Sequence, residues 1–165
     1  MLHRIVVVSS VIALTLLLGV QTASAGDWLW PVSGPVIEPF DAPDSPYGTG
    51  HRGIDIATAM GTPVRAPAPG VVAFSGPVGG SLFVTVDHGG GLESTYSWLS
   101  AVSVRRGDAV GAGMTVASSG QGHPGVVPAH LHFGVRMNDV YVDPMEYLAP
   151  GSVVGLIRLA PLAPA

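Results

Sequence analysis

The chain has 165 residues, 23 of them Gly and 15 Pro, with 47% hydrophobic content and a formal charge of −4. Seven basic residues, all Arg, stand against eleven acidic ones, which excludes the basic surface that phosphate neutralisation needs, and no nucleic acid partner is expected. The absence of Cys excludes a disulfide framework, a thiolate metal site and a Cys nucleophile, so His, Asp, Glu and Ser must carry any chemistry.

The N-terminus reads Met1-Leu2-His3-Arg4, then an apolar stretch of 16 residues (5 to 20), then a polar run ending in Ala23-Ser24-Ala25. These are the three regions of an export signal, with cleavage expected after Ala25. An uncleaved anchor is the alternative, but 16 residues broken by Ser9-Ser10 fall short of the about 20 that span a bilayer core. The expected mature chain starts at Gly26, has 140 residues, and is secreted or held in the cell envelope without stable membrane insertion. Residues 1–25 are thus read as signal peptide, 26–150 as one domain and 151–165 as an apolar, Pro-containing C-terminal tail. A monomer is expected.

From Trp28 onward, turn residues punctuate short runs that alternate apolar with small or polar side chains, the pattern of an all-β domain. One of Trp28 and Trp30 is expected to pack on the sheet and the other to cover its edge. The segment from Pro31 to Gly50, rich in Pro, Gly and Asp, is expected to wrap over the sheet. Val71–Ser75 is a predicted strand after Gly70. Ser81–Asp87 places Leu82, Val84 and Val86 on one face, Gly89-Gly90-Gly91 permits positive φ, and residues 93–100 supply the return strand of the clearest hairpin. Thr115–Ser118 is a further strand, and 131–137 with 140–142 reads as a second hairpin around Asn138-Asp139. Gly61-Thr62-Pro63-Val64 leading to Gly70 weakly echoes Gly107-Asp108-Ala109-Val110 leading to Gly113. Two such units packed together would give a compact antiparallel β-sandwich or flattened barrel.

Five His remain after the signal, at 51, 88, 123, 130 and 132. His130-Leu131-His132 opens an alternating segment, so both imidazoles point to one strand face. His51 and Asp55, four apart in an extended stretch, also share a face. Two imidazoles with one carboxylate and an open fourth position is the ligand set of a catalytic zinc site, in which the metal lowers the pKa of bound water towards about 7 and polarises a carbonyl. The alternative is a group of polar residues at loop mouths satisfied by backbone groups. No nucleotide loop and no Gly-x-Ser-x-Gly elbow is present.

His51-x-Gly53-x-Asp55, Gly61-Thr62-Pro63-Val64-x-Ala66, Gly70-x-Val72, the Val86-x-His88 turn, Tyr96, Gly107-Asp108-x-Val110 and His130-Leu131-His132-Phe133-Gly134 occur in that order. Together they closely resemble the LytM/lysostaphin-type zinc endopeptidases, from about Trp28 to Leu148. The resemblance implies the family's duplicated hybrid motif core with a long groove, one zinc ion, and cleavage of peptide cross-links in bacterial peptidoglycan. Carried over by position, it implies that His51, Asp55 and His132 are zinc ligands and that His130 is one of two catalytic histidines. The other belongs to a Tyr-x-His-Leu motif, which here reads Tyr96-Ser97-Trp98-Leu99. Indole donates one hydrogen bond but cannot shuttle a proton, which leaves open a slow enzyme, one with a rearranged base, or a silent domain that binds the wall or regulates another wall hydrolase. On strand alternation Trp98 shares a face with Tyr96. His123 is read as an exposed loop residue rather than a compensating base, and His88 as a turn residue. Arg52 could contact a stem-peptide carboxylate or pair with Asp41 or Asp44, and Arg105-Arg106 reads as a solvated turn.

Overall fold

The computed structural model describes residues 27–45 and 48–150, so the segment expected to be an export signal, Tyr47 and the C-terminal tail lie outside the described residues. In chain order the strands are β1 (Val36–Glu38), β2 (Ile54–Ala57), β3 (Pro63–Arg65), β4 (Gly70–Val78), β5 (Ser81–Asp87), β6 (Leu92–Val102), β7 (Ala109–Val110), β8 (Thr115–Ser119), β9 (His130–Met137) and β10 (Val140–Val142). A 3-10 turn, Pro144–Glu146, follows, capped by the Asp143 side chain accepting from the Met145 N–H. No α-helix occurs among the described residues. The expected hairpins form as read: β5 and β6 pair across Gly89, Gly90 and Gly91, all at positive φ, while Asn138 and Asp139 adopt φ of 50° and 65° between β9 and β10.

Every strand pairing is antiparallel, and the main sheet runs β1-β2-β9-β6-β5-β4-β7. β6 is the corner of the fold. Its first half, through Ser97, pairs with β9, whereas Leu99 to Val102 pair with β8, which in turn pairs with β3. This carries Val64, Val116 and Ala117 across the inner face of the main sheet, where they join Ile54, Ile56, Val84, Val86, Tyr96, Leu131 and Phe133 in one buried cluster. The fold class is therefore the expected all-β antiparallel core. Trp28 is fully buried in it, as expected of one of the two tryptophans, and half-buried Trp30 donates its indole N–H to the Ala149 carbonyl. The Pro31–Gly50 stretch is not only a wrap, since β1 within it adds an edge strand to β2.

His88 is the turn residue expected, and the structure adds that it is buried. It is only 8% exposed, under the Trp28 ring at a centroid distance of 4.6 Å. Its Nδ1–H donates to the Pro69 carbonyl, the Ser94 hydroxyl donates to its Nε2, and the Tyr96 hydroxyl donates to Ser94 Oγ. The turn buries His88 because this relay satisfies every polar atom in it. Burial holds the His88 pKa below its ordinary value and pushes that of Tyr96 above the usual tyrosine range.

Candidate metal centre

Because side chains alternate along a strand, the core face and the opposite face of the main sheet are set by register. Ile54 lies opposite Phe133 and Ile56 opposite Leu131, all four buried; the residues between them, Asp55 opposite His132 and Ala57 opposite His130, therefore turn the other way. On its other side His132 lies opposite Ser97 of β6. Sequence alternation thus placed both imidazoles of the His-x-His pair correctly. His51 reaches the same face from outside β2, held by backbone hydrogen bonds in both directions with Asp41. Gly53 lets the strands close: a Cβ there would collide with the Phe133 carbonyl oxygen and sit 3.0 Å from His132 Nε2.

His51 Nε2, Asp55 Oδ1 and His132 Nδ1 form a triangle with edges of 3.1, 2.9 and 3.0 Å. A tetrahedral ion with ligand bonds of about 2.0–2.2 Å holds its donors about 3.3–3.6 Å apart, so the triangle has the right size to within a few tenths of an ångström. Its chemistry agrees with its size. His51 Nδ1 lies 2.7 Å from the Pro39 carbonyl, which can only accept, so Nδ1 carries the proton. With Nδ1 so occupied, Nε2 is the ring atom turned to Asp55 Oδ1 and His132 Nδ1, where a neutral ring offers a lone pair to a metal ion and a protonated ring donates to the carboxylate. A proton or a metal ion between Nε2 and Oδ1 satisfies both atoms at 3.1 Å. The buried Asp55 carboxyl is kept ionised: burial raises its pKa, but the hydrogen bond and charge of His132, with the charges of His51 and His130, outweigh this and hold it below the usual carboxylate range. A divalent ion fits this donor set, and among the described residues His51, Asp55, His123 and His132 form the group able to hold one.

His130 is fully buried, with Nε2 3.6 Å from Asp55 Oδ2. Its Nδ1–H donates to the Pro128 carbonyl, and its Nε2 accepts the backbone N–H of His123 at 3.2 Å. The residue that sequence reading missed is His123. Its Nε2 stands 2.9 Å from Asp55 Oδ2, inside the cluster. One signal was present: residues 120–129 must deliver the chain from β8 to His130 at the start of β9, so they pass directly over the site.

Trp98 also departs from its expectation. Leu99 pairs with Leu82 and Tyr96 with Val84, so Ser97 and Trp98 together oppose Phe83 alone. This is a β-bulge, and Trp98 sits in it at φ 60°. Tyr96 stays in the core against Phe133, while Trp98 turns out into a groove of about 650 Å³ beside the metal cluster. Thr85, Thr95 and Ser97 contribute small polar side chains to this groove; Phe74, Val78 and Phe83 give it an apolar flank, and Arg136 and Tyr141 are at its other side. Arg136 is paired with Glu93, its cross-strand neighbour. Arg52 also lines the groove and donates to the Gly48 carbonyl. Arg105 and Arg106 are exposed in a turn, as expected.

Comparison with known proteins places this geometry among peptidases. The family model for Peptidase family M23 matches residues 49–144. An uncharacterized protein of Mycobacterium tuberculosis is 36% identical over 156 residues, covering 89% of this chain and 61% of its own length. The DD-carboxypeptidase/endopeptidase Mpg of Neisseria meningitidis is 40% identical over 107 residues, covering 61% of this chain and 23% of its own. The chain thus spans less than two thirds of either relative. Among solved structures, a zinc containing peptidase from Vibrio cholerae superposes with a TM-score of 0.64 at 25% identity, covering 76% of this chain and 41% of that one. The antimicrobial peptidase lysostaphin from Staphylococcus simulans gives 0.62 at 27% identity, with 84% and 62% covered.

Proposed function

The chain belongs to peptidase family M23, and from that premise we propose that it is a secreted zinc metalloendopeptidase that hydrolyses peptide cross-links of bacterial peptidoglycan. The observation that carries this reading is the convergence of His51 Nε2, Asp55 Oδ1 and His132 Nδ1 into a triangle of metal-site size beside an open groove. His51, Asp55 and His132 would hold the ion. A bound zinc ion supplies an acidic water and polarises a peptide carbonyl.

The chain's own residues do the rest. Asp55, buried and ionised, balances the charge of the centre and orients both neighbouring imidazoles. His130 carries its proton on Nδ1, fixed by Pro128, which leaves the Nε2 lone pair to take up a proton beside Asp55 once the His123 N–H withdraws. The groove floor of Thr85, Thr95 and Ser97 offers hydroxyls to an extended peptide backbone, and the apolar flank takes small side chains without demanding charge. The N-terminal signal pattern agrees with action outside the cytoplasm.

A second reading follows from Trp98. Its indole occupies the groove where the family pattern has a histidine, and it can bind a peptide but cannot accept a proton. On this reading the chain is a silent wall-binding or regulatory domain. Incubation with purified peptidoglycan, with and without a chelator, separates the two. New amino termini that vanish with the chelator support the peptidase; stoichiometric zinc and wall binding without new termini support the silent domain.

A further inference from the structure

Residues 120–129 form a strap between β8 and β9, exposed over half its length, yet fastened to the buried imidazole of His130 at two points. The His123 N–H donates to His130 Nε2, and His130 Nδ1–H donates to the Pro128 carbonyl. Gly122 makes this fit possible: it adopts φ +91°, and a Cβ there would collide with the His130 ring. The strap therefore has one seat, and that seat aims the His123 side chain inward.

The His123 ring is held between two acceptors. Its Nδ1 faces the Pro124 carbonyl at 3.3 Å, so a proton on Nδ1 has a partner when Nε2 gives its lone pair to an ion. Its Nε2 meets Asp55 Oδ2 at 2.9 Å, as His51 Nε2 meets the first carboxylate oxygen. The donor atoms of His51, Asp55, His123 and His132 all lie within 4.8 Å of one another. Trp98 stands edge-on to the ring at a centroid distance of 6.2 Å.

We propose that His123 is a fourth protein ligand of the metal centre, so that the strap closes the site and substrate gains a coordination position only when the strap lifts. The inference rests on the metal-binding reading above. Four protein donors make a closed site of the structural kind, whereas catalysis needs an open position, and the loop that carries His123 is the element able to supply the difference. Lifting the strap would also withdraw the His123 N–H from His130 Nε2, freeing that lone pair in the same motion.

The test compares the full chain with His123→Ala and His123→Gln, using zinc competition against a chromophoric chelator, the visible spectrum of the cobalt(II)-loaded protein, and an imidazole count by zinc X-ray absorption. The wild type is expected to show three imidazoles and a four-coordinate cobalt spectrum. Both variants should show two imidazoles, an altered cobalt spectrum and zinc affinity reduced at least about tenfold, since even groups that only support a ligand cost that much. Melting curves of the metal-free proteins, expected to coincide, show that the variants fold. Two imidazoles in the wild type, or unchanged affinity and spectrum in both variants, overturns the proposal while leaving the metal centre in place. A wild type that binds no zinc overturns both.

Discussion

Trp98 stands edge-on to His123, their ring centroids 6.2 Å apart and their planes at 61°. The β-bulge that turns Trp98 out of the core thereby puts an indole at the groove wall and an imidazole from the strap in front of it. Exchange of Trp98 for His would put a proton-handling group at this position. A positioned acid or base contributes about 10²- to 10⁴-fold, so Trp98→His is expected to raise kcat on a peptidoglycan peptide at least about tenfold. An unchanged kcat would mean that another group already serves.

Metal binding should register as stability. Zinc at a hundredfold excess over its Kd stabilises the native state by about 2.7 kcal/mol, worth roughly 5–11 °C in Tm for a domain of this size. Wild-type protein is expected to show this rise on zinc addition in a thermal melt. His51→Ala and Asp55→Asn should abolish it, because each removes a corner of the donor triangle.

The His88 relay predicts an acid sensitivity independent of the metal. Burial lowers the folded pKa of His88 below its ordinary value of about 6.5, so as pH falls through that value the unfolded chain takes up a proton that the folded protein refuses. The stability that neutral His88 maintains is whole above about pH 6.5 and is lost progressively below it, down to the folded pKa. The Tm of metal-free protein should therefore drop between pH 7.5 and 5. In His88→Gln, which keeps polar atoms near Pro69 and Ser94 but does not titrate, the drop should shrink.

Gly53 and Gly111 should respond oppositely to Ala. At Gly53 the added methyl meets the Phe133 carbonyl between β2 and β9 and would push the strands apart, at a cost of about 1–3 kcal/mol by comparison with overpacked cores. Gly111 has open space around it, and Ala there is expected to be neutral or to stabilise by up to about 1 kcal/mol through the unfolded chain. Paired urea titrations check both.

What the residues determined alone was whatever depends on short periods and local turns. The period of two along β9 put His130 and His132 on one face, the three glycines placed the β5–β6 hairpin, and the apolar alternation marked β5 from Ser81 to Asp87 without error. Tertiary structure decided wherever that period breaks or the chain leaves its strand. The bulge at Ser97-Trp98 exists because β6 must pair with β9 and then with β8, and that change of partner is invisible in a ten-residue window. The turn at His88 was legible, but its burial was not, because that depends on Trp28, sixty positions earlier, closing over it. His123 looked like solvent-exposed loop for the same reason: nothing in Gly120-Gln-Gly-His-Pro states where the loop passes, and only the seating of the strap on His130 brings its imidazole to Asp55.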